Sequence, residues 1–355
     1  MKKFLQRVVL VAVAMATAQV AVAESWRINN DTSKGAHFAS INDAMASEDV
    51  KDGDVLYLDP GCVLGEQTIT KAVTVIGTGW DFNDRPYGYA QISANLVIKA
   101  AARVVGLYIT GHALLHSDNI VIERCRIDLH VYRDTWSSAC NNLQLISSYL
   151  PTGVVRGIMA DNGEMSYTII SNCVISSNDY NNPPLLYLRN ATVTNCYLVK
   201  TGQGKPLLAR MYNSSFKNNI MINISGSNIQ SLIEQNCSGN NFSCNCMSAE
   251  TTTTYASANV CTNSIDISTY VINDGAAGGA WAQLCEGSPA IGAGEGGIDC
   301  GPYAKGSLYP FVTYGMPKHI PYFTEAAVPA QPTDGKENTY YARADSTHPC
   351  YTPPL

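Results

Sequence analysis

Positive charge is scarce in this chain. Its 355 residues include 23 Lys and Arg against 29 Asp and Glu, for a formal charge of −6. A partner with a phosphate backbone needs clustered Lys and Arg, so the balance argues against nucleic acid. Charged residues of either sign make up only 15%, low for a helical protein. Asn, Ser, Thr and Gly are abundant instead, a mixture that suits strands joined by tight turns. Only six His occur, and none lies near Cys237, Cys244 and Cys246, which argues against a zinc site there. No second apolar run long enough to cross a bilayer follows the N-terminus.

The first 23 residues read as a secretory leader. Lys2, Lys3 and Arg7 form its positive end, Val8 to Ala16 its short apolar stretch, and Ala21-Val22-Ala23 its small-x-small cleavage pattern. The competing reading is an anchor helix, which Thr17 and Gln19 interrupt. The mature chain is then expected to begin at Glu24 and to be exported: periplasmic, surface-bound or extracellular. Losing the leader's three basic residues takes the formal charge from −6 to −9.

The rest of the chain repeats. Asn119–Ile127, Asn142–Leu150, Tyr167–Ile175, Asn190–Leu198 and Asn213–Met221 superimpose without gaps, with Val104–Ile109 before them and Phe242–Met247 after. One column reads Leu107, Cys125, Ser148, Cys173, Cys196, Asn219, Asn245, at spacings of 18, 23, 25, 23, 23 and 26 residues. That is too short for a βαβ unit with a full helix and fits one solenoid coil per repeat. Three residues before this column every position is apolar (Val104, Ile122, Leu145, Ile170, Val193, Phe216, Phe242). So is every position two after it (Ile109, Ile127, Leu150, Ile175, Leu198, Met221, Met247). Both columns must face a core, and the Cys column shares the parity of the second. Cys125, Cys173 and Cys196 are therefore expected as stacked interior thiols, because parallel Cβ directions suit packing better than bonding.

One residue before the Cys column stand Gly106, Arg124, Ser147, Asn172, Asn195, Asn218 and Cys244. Gly and Asn tolerate left-handed backbone, so this position reads as a bend, and its three successive Asn suggest an amide ladder. Cys285 and Cys300, in a Gly-rich region, are the better disulfide candidates.

The reading is an all-β protein: a right-handed parallel β-helix, a single-stranded solenoid of 9 to 11 coils over residues 24–300. Ile41-Asn-Asp-Ala-Met-Ala46 is expected as a short helix covering the open first coil. Nine of the sixteen Pro fall in residues 301–355. They predict an extended tail capping the last coil, with one short strand around Asn338 to Ala342.

The stretch Ile41 to Gly77 resembles the start of pectin-lyase-like β-helix proteins. Gly287-Ser-Pro-Ala-Ile-Gly-Ala-Gly294 with Ile298-Asp-Cys-Gly301 is similar to the closing motif of many secreted bacterial members. Thr74–Gly79, Asp84-Arg-Pro86 and Ile122-Glu-Arg-Cys125 resemble a group of uncharacterised exported Bacteroidota proteins. The resemblance implies the fold. It implies no single activity, because the fold hosts lyases, hydrolases, esterases, adhesins and scaffolds. The signatures of its better-known enzymes are missing: Gly111-His-Ala113 and Arg126-Ile-Asp128 match polygalacturonase motifs only in part, and the Trp-x-Asp-His of pectate lyases is absent.

Two groups of candidate site residues remain. Arg124, Arg126, Asp128, His130, Arg133 and Asp134 form a charged cluster. Alternation places Arg126, Asp128 and His130 outward and Ile127 and Leu129 inward. There an Arg would bind an acidic sugar and His130 would titrate, with Arg103 able to join from the preceding coil. If the protein is a polysaccharide lyase or glycoside hydrolase, catalysis centres on Arg126, Asp128 and His130, with Ca²⁺ a cofactor only for a lyase. Otherwise no cofactor or metal is expected. One residue after the Cys column, Tyr108, Tyr149 and Tyr197 face outward. With Arg124 they are candidates for stacking on glycan, against the simpler reading that Tyr packs well on any β surface. Arg189 and Arg210 read as surface residues. The leading function is a non-catalytic exported protein engaging extracellular polysaccharide or the cell envelope through a lateral face. The alternatives are a polysaccharide-cleaving enzyme and a structural or adhesive surface rod.

Overall fold

The computed structural model describes residues 23–80, 88–133, 140–156, 165–201, 204, 206–225, 228–229, 231–234, 236–248, 259–267, 282–304, 307, 311, 322–327 and 341–345. Residues 1–22 and Asp134 lie outside them. The chain winds into a parallel β-helix. Three sheets run its length, two of 11 strands and one of 8. Each coil contributes a short strand to each sheet in turn, as in Val121–Glu123 (sheet 1), Arg126–Ile127 (sheet 2) and Val131–Tyr132 (sheet 3). Registers match the sequence repeat residue for residue: Ile122 pairs with Val104 and Leu145, and Val193 with Ile170 and Phe216. Both apolar columns are buried, as is every member of the Cys column from Leu107 to Asn245.

The start is covered as expected. Helix Ile41–Ala46 is N-capped by Ser40, whose hydroxyl accepts from the Asp43 N–H, and it buries Ile41, Ala44 and Met45. Asn42 ties it to the first strand of sheet 3. Its N–H donates to Gln67 Oε1 (3.0 Å), and its Oδ1 accepts from the Thr68 N–H (2.8 Å). The edge that would template another chain is thus occupied.

The bend before the Cys column is left-handed in every coil, with φ between 48° and 63° from Gly106 to Cys244. A bend turns the next residue's N–H out of the sheet ladder, and a buried N–H without an acceptor is costly. The side chain at the same column position one coil on supplies the acceptor. Cys125 N–H donates to Ser148 Oγ, Ser148 N–H to Cys173 Sγ, and Cys173 N–H to Cys196 Sγ. Cys196 N–H donates to Asn219 Oδ1, Asn219 N–H to Asn245 Oδ1, and Asn245 N–H to Ser264 Oγ. Small side chains carrying S or O are therefore required here, and the column's Cys/Ser/Asn composition follows. The thiols in turn donate to carbonyls, Cys173 to Leu145 and Ser171 (3.3 Å each). A second inner column runs the same way after the bend at Asn190 and Asn213: Ala191 N–H to Ser214 Oγ, Ser214 N–H to Asn240 Oδ1, and Asn240 N–H to Asn259 Oδ1.

The amide ladder is thus real but displaced inward by one residue. Asn172, Asn195 and Asn218 do not bond one another. Asn172 and Asn218 instead bond the C-terminal segment on the flank. Asn172 Nδ2 donates to Pro302 O (2.9 Å), while Asn218 accepts the Glu295 N–H on Oδ1 (2.8 Å) and the Gly301 N–H on its carbonyl (2.9 Å). Lys217 pairs with Glu295 (2.7 Å). The described residues of 282–304, with Ser307 and Phe311, pack along the flank of the β-helix, reaching Ile265 and Ile267 of the last described coil. They form a strap that runs back along the bend from Cys244 to Asn172 and beyond to Trp80, which shares a buried cluster with Val174, Ala282 and Phe311. No disulfide joins Cys285 to Cys300, because Cys300 sits against Cys244 and Cys246. Beyond the strap, Tyr322–Ala327 and Tyr341–Asp345 pair as an antiparallel hairpin, one strand more than expected. Asn338 lies outside the described residues.

Candidate functional site

The charged cluster read from the sequence divides into three parts. Strand Arg126–Ile127 ends at a turn, so alternation stops there: Leu129 is 38% exposed rather than inward. Arg126 and Asp128 stay on the outer face of sheet 2, while His130 directly precedes the sheet 3 strand Val131–Tyr132 of the same coil. Arg124 is neither solvated nor open to a ligand. It holds the left-handed bend at φ 55°, is 2% exposed, and has Nε 3.3 Å from Glu123 Oε1. Arg103 pairs with Glu123 on sheet 1, not with Arg126.

On sheet 2, each oxygen of Asp128 accepts one hydrogen bond. Arg126 Nε donates to Oδ1 (2.8 Å) and Tyr108 Oη to Oδ2 (2.6 Å). The Arg126 guanidinium lies over the Tyr108 ring (4.6 Å) and near that of Tyr149 (5.9 Å). Burial opposes the Arg126 charge, but the hydrogen bond and charge of Asp128 outweigh it and raise the pKa. Burial, then the bond to Asp128, pushes Tyr108 up to about 12. The Tyr column is not an open platform. Trp80 packs on Tyr149 at 5.6 Å, and Tyr108, Tyr149 and Tyr197 all pack against the cluster of Trp80, Val174, Ala282 and Phe311.

His130 belongs to another group. Its N–H donates to His112 Nδ1 of the preceding coil (3.1 Å), and the two rings lie 5.1 Å apart, both against Tyr132. Arg156, one coil further, stacks on Tyr132 at 4.7 Å and reaches Asn182 Oδ1 (3.5 Å). Asn182 in turn donates to Asp179 Oδ2 (2.6 Å), whose Oδ1 accepts from the Asn181 N–H (2.8 Å). Lys200, fully buried, donates to the Asp179 carbonyl. These bonds fix the turn 178–183 beside the histidines, with Tyr180 projecting from it 65% exposed.

Burial, assisted by the positive neighbours His112 and Arg156 and offset only in part by Asp179, holds His130 down to about 4. Burial also lowers His112. The folded protein thus binds fewer protons here than the unfolded chain, whose His titrates at 6.5. The stability this contributes is complete above pH 6.5 and is lost as pH falls towards 4. Urea midpoints should drop across that window, and His130→Gln should make the drop shallower. An unchanged slope would count against a half-buried, neutral His130.

The sheet 3 face continues the pattern from Tyr132 and Arg156. Arg189 lies over its register partner Tyr212 (5.0 Å), and Arg210 over Tyr187 (5.9 Å). Three Arg–Tyr pairs therefore cross the coils between Val131 and Tyr212. Adjacent strands lie ~4.8 Å apart, so the pairs span about 14 Å of the solenoid axis. Arg156 and Arg210 have no ion-pair partner among the described residues. Arg189 and Arg210, read from the sequence as plain surface residues, are part of this array. Tyr132, Arg156, Tyr187 and Tyr212 were not singled out at all, although Tyr132 to Arg156, Tyr187 to Arg210 and Arg189 to Tyr212 recur at the coil period of 23 or 24 residues. No family model matches the chain, and no curated protein matches it.

Proposed function

We propose that this is an exported, non-catalytic β-helix protein that binds an acidic glycan of the envelope or exterior through its sheet 3 face. The observation that carries the reading is the run of Arg–Tyr pairs across successive coils. Each pair offers an aromatic surface for a sugar ring and a guanidinium shaped for a carboxylate. Tyr132–Arg156 lies on the first two of four successive coils, and Tyr187–Arg210 and Arg189–Tyr212 lie side by side on the next two, so that together they make one cationic and aromatic patch. A chain of formal charge −9 without its leader would repel a polyanion in general, so these cations on one face select where it docks. Export rests on the leader at residues 1–23. Cleavage is disfavoured because Asp128 is engaged by Arg126 and Tyr108, and His130 is half-buried against His112.

The test is titration of the mature protein with acidic and neutral polysaccharides, following binding together with reducing ends and unsaturated-uronate absorbance. Binding to acidic polymers alone is expected, without cleavage. Arg156→Gln and Arg210→Gln should each weaken it about tenfold, the loss of ~1.4 kcal/mol, while Arg126→Gln should not. Cleavage, or binding indifferent to Arg156 and Arg210, would overturn the proposal.

A further inference from the structure

The outward column of sheet 2 that holds Tyr108 reaches Cys246, on strand Cys246–Met247, one coil before Ile265. Cys246 is fully buried, and the strap covers it. Cys300 of the strap is 1% exposed in the same cluster, which also holds Ile220, Ile267 and Ala290. The two thiols share that cluster, and the Cys300 thiol donates to the carbonyl of Cys244 (3.1 Å), two residues before Cys246 in the chain. The pair stands on two segments packed face to face, one side chain looking out from the sheet and the other in from the strap. Cys173 and Cys196 are arranged differently: they are neighbours in one column, and their Cα–Cβ bonds run parallel. A disulfide needs Cβ atoms about 3.5–4.5 Å apart with the sulfurs between them, which facing segments provide and stacked ones do not.

We propose that Cys246 and Cys300 form a disulfide in the exported protein, tying the strap to the β-helix. The oxidant is a small-molecule or protein disulfide of an oxidising compartment. One cysteine thiolate attacks that disulfide, forms a mixed disulfide and expels one thiolate. The second cysteine thiolate then attacks the mixed disulfide at the protein sulfur, closing the protein S–S bond and expelling the other thiolate. The protein loses two protons and two electrons, and the reagent gains them as two thiols. Docked, Cys300 is held as the neutral thiol by the neighbouring Cys246 and by burial. The exchange therefore takes place while the strap is still open.

The experiment uses the full mature chain, refolded with oxidised and reduced glutathione, alkylated while denatured and unreduced, and mapped by mass spectrometry. No Lys or Arg lies between Lys217 and Lys305, so a Glu-specific protease is needed. Cuts at Glu234, Glu250, Glu286 and Glu295 place Cys246, Cys285 and Cys300 on separate peptides. Cys237 and Cys244 share a peptide with Cys246, and Cys246→Ser resolves them. A peptide linking the Cys246 fragment to the Cys300 fragment is expected. It should be lost in Cys246→Ser and in Cys300→Ser and kept in Cys285→Ser and Cys244→Ser. Both cysteines alkylated in the wild type, or Cys300 linked to any other cysteine, would overturn the assignment.

Discussion

Asn219→Leu should destabilise the protein by about 3 kcal/mol, whereas Asn195→Gly, one coil earlier and at the bend, should change stability by less than about 1 kcal/mol. Asn219 is fully buried. Its Oδ1 accepts the Cys196 N–H (2.9 Å), and its Nδ2 donates to Val193 O (2.9 Å) and Asn245 Oδ1 (3.0 Å). Leu keeps most of the volume and none of these bonds. It strands the Cys196 N–H, which the bend has already turned out of the sheet ladder. A buried donor left without an acceptor costs ~1–3 kcal/mol, and the other lost amide bonds add to it. Asn195 differs because it supplies backbone geometry only. Its φ is 53° and its Nδ2 has no partner, so Gly, which adopts that angle freely, replaces it at little cost. Urea midpoints at constant m-value would compare the two. Similar shifts for both variants would mean that the inner column does not carry the coil's polar accounting.

The contrast between those residues also marks what the sequence discloses. Apolar columns and the bend were legible because burial and left-handed φ restrict residue type at each coil, and a 23-residue repeat displays the restriction many times over. The direction of the Asn side chains was not legible. Whether Asn172 bonds Asn195 or a strap 130 residues later depends on a segment that repeats nothing. For the same reason Tyr149 and Tyr197 looked open. Outward parity says which face of a sheet a residue occupies, not what lies over that face. Leu129 and His130 failed for a local reason, because alternation holds within a strand and Arg126–Ile127 is only two residues long. The Arg–Tyr pairs of sheet 3 do recur at the coil period. Arg and Tyr exchange places between coils, however, so no single column shows one residue type.

Trp80→Ala should release the strap and cost about 3–5 kcal/mol, the range for removing a buried Trp. Trp80 is 1% exposed and packs against Val174 and Tyr149 of sheet 2 and against Ala282 and Phe311 of the strap. It is therefore the bridge between an early coil and the C-terminal segment. The inner columns of Cys, Ser and Asn do not pass through it, so the loss should be local. Exchange protection of the Gly301 N–H, bonded to Asn218 O, should fall. That of the Asn219 N–H, bonded within the solenoid, should persist. Equal loss at both amides would mean that strap and β-helix unfold as one unit. The same variant bears on ligand binding. With the strap displaced, Tyr108, Tyr149 and Arg126 would stand open beside one another. Glycan affinity gained in Trp80→Ala and abolished by adding Tyr149→Ala would make the strap the cover of a second binding face. Affinity unchanged in Trp80→Ala would leave those tyrosines as the packing surface on which the strap is built.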